Sequence, residues 1–212
     1  MIAQDERLAR WPTWEEKIMD ARIDVTAVPR MWLWEVAILV SLPIGGFVAD
    51  LVVNGVDSLG AALAGGLIVG AVIGAAEWFA IRKRVSWLWI PATIAGMAIG
   101  LVVGAALVGY GIGRGDLVLM GAVNGAAVGT MQALVLAQHR IRGALWWALV
   151  NPPAWALGWF VSSYVISRNI DERFAIFGAS GALVFGLLTG LILVNLFRRA
   201  SEARGEAVRA AA

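Results

Sequence analysis

The chain has 212 residues, of which 60% are hydrophobic and 15% are charged, and its mean hydropathy is +0.77. Soluble domains are about 45–50% apolar and about 25% charged, so this composition predicts an integral membrane protein that crosses the bilayer several times. Cysteine is absent and there is one histidine, which excludes disulfides and a conventional zinc site. The net charge of +2 is not gathered into a basic stripe, so nucleic acid is not expected as a partner.

Residues 1–30 are polar and form a predicted N-terminal segment in the cytoplasm. Thr13 and Glu16 have the spacing of a capping box, which predicts the start of a helix. Four apolar residues then share one helical face: Trp14, Ile18, Ala21 and Val25. This amphipathic segment is expected either to lie on the membrane surface or to pack on the protein's own cytoplasmic loops.

Six apolar segments follow, each long enough to cross a bilayer as a helix. They cover residues 33–53, 59–81, 87–109, 116–137, 145–166 and 174–197. Helices are favoured over a barrel because the alternation of barrel strands is missing. The sequence therefore predicts an all-α integral membrane fold, with one six-helix transmembrane domain over 31–199 and a cytoplasmic tail over 200–212.

The positions of the basic residues predict the orientation of the chain. Most of the 17 Lys and Arg residues fall in the N-terminal segment, in the turns 82–84 and 140–142, and after residue 197. The positive-inside rule then places both termini in the cytoplasm and the domain in the cell (inner) membrane. Six tryptophans open the odd-numbered segments at that face, where they are expected to form an aromatic belt: Trp32, Trp34, Trp87, Trp89, Trp146 and Trp147.

Small residues recur every fourth position in all six segments. The even-numbered segments carry Gly66, Gly70 and Gly74, then Gly121, Gly125 and Gly129, then Gly178, Ala182 and Gly186. The odd-numbered segments carry Ser41, Gly45 and Ala49, then Gly96, Gly100 and Gly104, then Ala154, Gly158 and Ser162. Because lipid competes with apolar side chains, such ladders are expected to promote close packing of neighbouring helices.

The ladders keep constant offsets of 55 and 57 residues in the even segments and of 55 and 58 in the odd ones. This register predicts three tandem two-helix repeats, at about 31–81, 86–137 and 144–197. Each repeat has an even number of spans, so the three share one orientation and are expected to be related by a pseudo-threefold axis along the membrane normal. The bundle is expected to be compact, with little room for a wide pore.

The candidate polar site consists of Glu77, Gln132 and Thr189, which occupy equivalent positions in the three repeats. Each lies three residues after the last ladder position of its segment, near the cytoplasmic end. Intramembrane carboxylates are costly and often functional, whereas a structural hydrogen bond from Glu77 to Gln132 or to a basic turn is the simpler interpretation. The other polar residues are given lesser roles: Asn124, Asn151 and Asn195 are expected to join helices by hydrogen bonds, and Glu35 and His139 to be solvated.

Enzymatic activity is not expected. The stretch from Gly178 to Gly181 resembles the GxSG stretch of rhomboid intramembrane proteases, which would make Ser180 a nucleophile. The chain's one histidine, His139, falls at the opposite side of the predicted membrane, so no base is in reach of Ser180.

A wider resemblance covers most of the chain. A Gly-rich helix ends in Gln-Ala-Leu-Val-Leu and a basic turn, and Trp-Trp and Ala-Leu-Gly-Trp follow. In this the chain resembles uncharacterised bacterial polytopic membrane proteins with Gly-rich tandem helical-hairpin repeats, a class that implies no activity. The expected function is a non-enzymatic membrane subunit or scaffold that packs against other membrane proteins, lipids or pigments. The alternative is a small transporter or channel with its site at Glu77, Gln132 and Thr189; no cofactor is assigned.

Overall fold

The computed structural model describes residues 30–166 and 179–211, which form six α-helices joined by short turns. The helices are α1 (Met31–Val53), α2 (Leu59–Ile81), α3 (Trp89–Leu107), α4 (Arg114–Gln138), α5 (Ala144–Ile166) and α6 (Ala179–Ala211). The amphipathic segment predicted before residue 30, the predicted start of the sixth span and Gly178 lie outside the described residues.

Five of these helices are long and apolar enough to cross a membrane: α1, α2, α3, α4 and the Ala179–Ala203 part of α6. The exception is α5, which has a full span of 23 residues but includes Pro152, Pro153 and four tryptophans. These residues lower the mean hydropathy of α5, but the helix keeps its full length. The fold is therefore all-helical and of a multi-pass membrane type over the described residues.

The C-terminal ends of the helices agree with the predicted spans to within one residue except at α3 and α6. A left-handed backbone at Gly109 (φ 58°) and Tyr110 (φ 61°) ends the third helix near Leu107, two residues earlier than predicted. Helix α6 continues to Ala211 instead of ending at 197. Its extension is rich in Ala, Glu and Arg, which are strong helix formers in water as well.

The six helices form a closed ring in chain order. Each helix packs on the helix before it and the helix after it, and α1 packs on α6 to close the ring. We call the end that carries the turns 82–88 and 139–143 the basic end, and the end that carries the turns 54–58 and 108–113 the opposite end.

The predicted ladder glycines that the structure describes lie close to atoms of a neighbouring helix. A Cβ atom added to Gly66 would lie 2.7 Å from the Cα of Ala98, and one added to Gly125 would lie 2.8 Å from the Cα of Pro152. Such separations leave no room for a side chain. Each ladder faces the next helix around the ring: Gly66, Gly70 and Gly74 face α3; Gly96, Gly100 and Gly104 face α4; Gly121, Gly125 and Gly129 face α5; Gly158 faces α6; and Gly186 faces α1.

Candidate functional site

Glu77 lies one turn after Gly74 on α2 and is 1% exposed. Its Oε2 atom accepts hydrogen bonds from the indole Nε1 of Trp89 at 2.9 Å and from Nε2 of Gln132 at 2.7 Å. The Thr93 hydroxyl lies 3.3 Å from the same oxygen and 3.0 Å from the carbonyl of Trp89, and its single proton can serve either acceptor. Helices α2, α3 and α4 are thereby joined at one carboxylate oxygen.

Gln132 uses both ends of its amide. Its Nε2 donates to Glu77 and, at 2.9 Å, to the Thr93 hydroxyl, while its Oε1 accepts from Nε1 of Trp147 at 2.9 Å. The predicted hydrogen bond between Glu77 and Gln132 is therefore present, and Gln132 extends the network to α5.

Thr189 does not bond directly to the other two predicted residues. Its hydroxyl donates to the Phe185 carbonyl at 2.7 Å and accepts from Nε1 of Trp34 at 3.0 Å. The rings of Trp34 and Trp147 meet edge to face, with centroids 5.9 Å apart. Thr189 is thus connected to Gln132 through two tryptophans.

We call these seven residues the polar cluster: Trp34, Glu77, Trp89, Thr93, Gln132, Trp147 and Thr189. All are 0–1% exposed. The predicted aromatic belt is wrong for the three tryptophans of the cluster, which point into the bundle, whereas Trp32, Trp87 and Trp146 are 58%, 55% and 64% exposed. The sequence did contain a signal: Trp34, Trp89 and Trp147 are spaced by 55 and 58 residues, as the odd ladders are.

The basic end of the bundle is closed over the polar cluster. Buried apolar side chains lie one turn or more beyond it, namely Ile81, Val85, Leu136, Ile141, Leu193 and Phe197. The turn after α2 reaches across to α6, where the guanidinium of Arg84 lies 5.1 Å from the ring centroid of Phe197. The two turns at this end are joined because Nε2 of His139 accepts from the Ser86 backbone N–H at 3.0 Å.

Two residues expected to be solvated are partly buried. His139 is half-buried, and burial lowers its pKa below the usual 6.5. Its bond to Ser86 requires an unprotonated Nε2, and so the neutral ring. The carboxylate oxygens of Glu35 are buried at the seam between α1 and α6, beside Gly186, and have no hydrogen-bond partner among the described residues.

The expectation that three asparagines join helices is wrong in this structure. Asn151 donates to the Trp147 carbonyl and Asn195 to the Leu191 carbonyl, each at 2.8 Å and within its own helix. Asn124 is fully buried, and neither of its amide atoms has a partner among the described residues.

The described residues do not bring Ser180 and His139 together. Ser180 lies at the start of α6, near the opposite end, and its buried hydroxyl has no hydrogen-bond partner there. His139 lies at the basic end and is bonded to Ser86. Within residues 30–166 and 179–211, no three His, Cys, Asp or Glu side chains are grouped closely enough to hold a metal ion.

A cavity of about 430 Å³ occupies the opposite half of the bundle. All six helices contribute to its lining, so it lies inside the ring, and it extends to the turn residues Gly55, Val56 and Tyr110. We call it the axial cavity. Its lining is mostly apolar, and it was not predicted from the sequence.

Comparisons with known protein families, with curated proteins and with solved structures find no match to this chain. Function is therefore inferred from the polar cluster and from the surface of the bundle. The resemblance to bacterial hairpin-repeat membrane proteins stays a prediction.

Proposed function

We propose that this protein is a non-enzymatic integral membrane subunit or scaffold that packs against other membrane proteins, lipids or pigments. The observation that carries the proposal is the closed polar cluster. Its polar side chains bond to one another, three tryptophans fill the space between them, and every member is at most 1% exposed. Such a cluster holds helices together and leaves no path for a solute through the basic half of the bundle.

The architecture we propose is six membrane spans in three tandem repeats around a pseudo-threefold axis. It is supported by a hydrogen bond that recurs three times around the ring. Trp89 donates to Glu77, Trp147 to Gln132, and Trp34 to Thr189, always from an odd-numbered helix to the even-numbered helix that precedes it around the ring. On this proposal α5 crosses the membrane with the others, because its place in the ring lies between two spanning helices.

The outer surface of the ring supports a packing role. On α1, Val36, Val40 and Ile44 recur every fourth residue and are about half exposed, so one whole stripe of this helix faces outward. In a bilayer such a stripe contacts lipid tails or the apolar face of another membrane protein.

The scaffold proposal is tested by mass measurement of the protein after gentle extraction from its native membrane. We expect a stoichiometric complex with another membrane protein, or a lipid- or pigment-loaded preparation. A bare monomer that conducts an ion in proteoliposomes would refute the proposal.

The alternative function is a transporter or channel at Glu77, Gln132 and Thr189, and the observation in its favour is the buried carboxylate of Glu77. Glu77→Gln separates the two functions, because an amide oxygen can still accept from Trp89. Under the scaffold proposal the variant keeps its thermal stability and its complex. Under the alternative, the Glu77→Gln protein stays folded but loses ion flux. The matched variant Glu35→Gln, outside the cluster, is then expected to keep its ion flux.

The proposed orientation places both termini in the cytoplasm of a cell with the basic end inside. Because the chain has no cysteine, one cysteine can be introduced at a time, at Ser58 in one protein and at Lys83 in another. Both positions are exposed, at opposite ends of α2. An impermeant maleimide added to whole cells is expected to label the first and spare the second. Equal labelling of both would refute the orientation.

A further inference from the structure

The two turns at the basic end carry exposed cations that no carboxylate neutralises. Arg82 and Lys83 are exposed in the turn after α2, and Arg140 and Arg142 are exposed around the turn after α4. None of these four side chains makes an ion pair within the described part of the chain. Unpaired positive charge at a protein surface attracts an anion from outside the chain.

The side chain of Arg82 lies against the outer surface of α2. Its guanidinium carbon is 4.3 Å from the ring centroid of Phe79, which is exposed about one turn earlier on the same helix. Stacking of this kind uses the face of the guanidinium group and leaves the N–H groups at its edge to bind phosphate oxygens. A positive charge is therefore held beside the apolar surface that faces the bilayer.

An exposed tryptophan accompanies each basic turn. Trp87 lies two residues before the start of α3, and Trp146 lies in the first turn of α5. Tryptophan favours the depth of the lipid headgroups, where its ring contacts the upper acyl chains and its N–H group stays in a polar environment. Each turn thus presents cations and an exposed aromatic ring at the same end of the bundle.

The charge of the turns selects among phospholipid headgroups. All phospholipids carry a phosphate, but phosphatidylcholine and phosphatidylethanolamine add an ammonium group. Residues 78–88 and 138–146 contain no Asp or Glu, so an ammonium group would meet like charges there and find no acidic partner. A headgroup of net negative charge, such as phosphatidylglycerol, meets no such repulsion, and basic sites beside membrane helices favour lipids of this class.

We infer that each basic turn is a binding site for one anionic phospholipid. In the first site Arg82 and Lys83 bind the phosphate and Trp87 contacts the glycerol region, while the acyl chains follow the outer surface of the bundle. The turn 139–143 and Trp146 form the second site in the same way. The inference rests on the proposed non-enzymatic role in the membrane and names an anionic lipid as one of its partners.

The probes are dioleoyl phosphatidylglycerol and dioleoyl phosphatidylcholine, which have the same acyl chains and differ in the charge of the headgroup. Native mass spectrometry of the full chain in a mild detergent counts the lipids bound at each lipid concentration. We expect the wild type to bind two phosphatidylglycerol molecules at concentrations that leave phosphatidylcholine unbound. Equal affinity for the two lipids would refute the inference.

Removal of the charge in one turn is expected to remove one of the two lipids. Arg82→Gln with Lys83→Gln should weaken the first site about 30-fold, since each basic residue near a membrane surface contributes on the order of 1 kcal/mol. The second site should keep its affinity. Arg140→Gln with Arg142→Gln should have the converse effect. Partial weakening of both bound lipids by either pair would mean a diffuse attraction instead of two sites, and would overturn the inference.

The matched control is Arg114→Gln at the opposite end. The guanidinium carbon of Arg114 also lies over an exposed aromatic ring, that of Tyr164, at 4.2 Å from its centroid. The exposed Asp50 and Asp57 lie at this end, so a lipid of net negative charge is not favoured there. We expect the control to bind phosphatidylglycerol as the wild type does. A loss as large as that of the turn variants would show that the basic turns have no special role.

Every substituted position is exposed, so the elution profile and melting temperature of each variant should match those of the wild type. If Arg82→Gln with Lys83→Gln does not fold, Arg82→Gln alone takes its place, with an expected loss of about fivefold. Soluble glycerol phosphate tests whether the acyl chains are needed. An excess of it should not displace the lipid, and displacement would mean that the turns bind free phosphate and not a phospholipid.

The natural lipid is identified by solvent extraction of the protein purified from its native membrane, followed by mass spectrometry. An anionic phospholipid should be present in the wild type and in Arg114→Gln, and reduced when both turns lose their charge; equal amounts in all three would contradict the sites. The proposed function fails separately. An ion-conducting monomer that still prefers phosphatidylglycerol would refute the scaffold and leave the lipid sites standing, whereas a stable complex without that preference would refute the lipid sites alone.

Discussion

Gln132 uses both ends of its amide to bond with three other side chains of the polar cluster. Its two donors go to Glu77 and Thr93, and its oxygen accepts from Trp147. Each of those partners is itself buried, so none can turn to water if the amide is lost. An unsatisfied buried polar group costs about 1–3 kcal/mol.

We therefore expect Gln132→Met, which keeps the length of the side chain, to lower the free energy of unfolding by about 1–3 kcal/mol, because Nε1 of Trp147 loses its acceptor while Glu77 and Thr93 keep other partners. Thermal unfolding in a mild detergent measures the effect. Gln138→Met is the matched control, because Gln138 is exposed at the end of the same helix. Equal melting temperatures for the two variants would mean that the cluster does not stabilise the bundle.

His139 makes the stability of the basic end depend on pH. Burial lowers its pKa in the folded protein below 6.5, so at pH values just under 6.5 the unfolded chain binds a proton that the folded chain does not. Stability is then fully present above about pH 6.5 and decreases as the pH falls below it. Protonation would also remove the Nε2 acceptor from the Ser86 N–H group.

The expected result is a melting temperature that decreases between about pH 7 and about pH 5, with a smaller decrease in His139→Gln, which cannot titrate. The comparison of the two slopes isolates the histidine from the carboxylates, which both proteins share. Parallel slopes would show that His139 does not control the pH response.

At the scale of the helices, several glycines lie close to the backbone of a neighbouring helix. A Cβ atom at Gly70 would lie 2.7 Å from the Cα of Ile94, and one at Gly100 would lie 2.7 Å from the Cα of Asn124. Because backbone atoms oppose both positions, a side chain cannot be accommodated by rotation of a neighbour. The helices would have to separate along their length.

We expect Gly70→Leu, Gly100→Leu and Gly125→Leu each to lower the melting temperature clearly, with a loss of at least the 1–3 kcal/mol typical of overpacking. Gly60→Leu, on the exposed side of α2, should change it little. Equal tolerance at all four positions would contradict the close approach of the helices.

Hydropathy and the spacing of small residues were enough to predict the six helices and most of their ends, because the length of an apolar segment can be counted from the sequence alone. Which tryptophan of each pair faces inward was missed, although Trp34, Trp89 and Trp147 share the ladder register. The axial cavity was also missed. Small side chains such as Ala49, Ala105 and Ala182 line it, and which side chains face the axis depends on how the helices rotate against one another.

For the molecule as a whole, the contact between α1 and α6 closes the ring. The other five contacts join helices that follow one another in the chain. The seam contains the hydrogen bond from Trp34 to Thr189, and Gly186 and Gly190 of α6 face Glu35 and Trp34. Both the polar cluster and the axial cavity need this closure, since α1 and α6 contribute to each.

Ring closure is tested by the double variant Glu35→Cys and Gly186→Cys in this cysteine-free chain. A Cβ atom at Gly186 would touch the Glu35 carboxylate, so a short bis-maleimide is expected to join the two cysteines within one chain and shift its mobility on a denaturing gel. Glu35→Cys with Leu188→Cys is the control, because two residues turn a helix by about 200° and place Leu188 on the outer surface. Equal cross-linking of both pairs would mean that the seam opens freely. Efficient linking of the first pair alone would establish α1 and α6 as neighbours in the membrane, and with them the enclosed axis on which the cluster and the cavity depend.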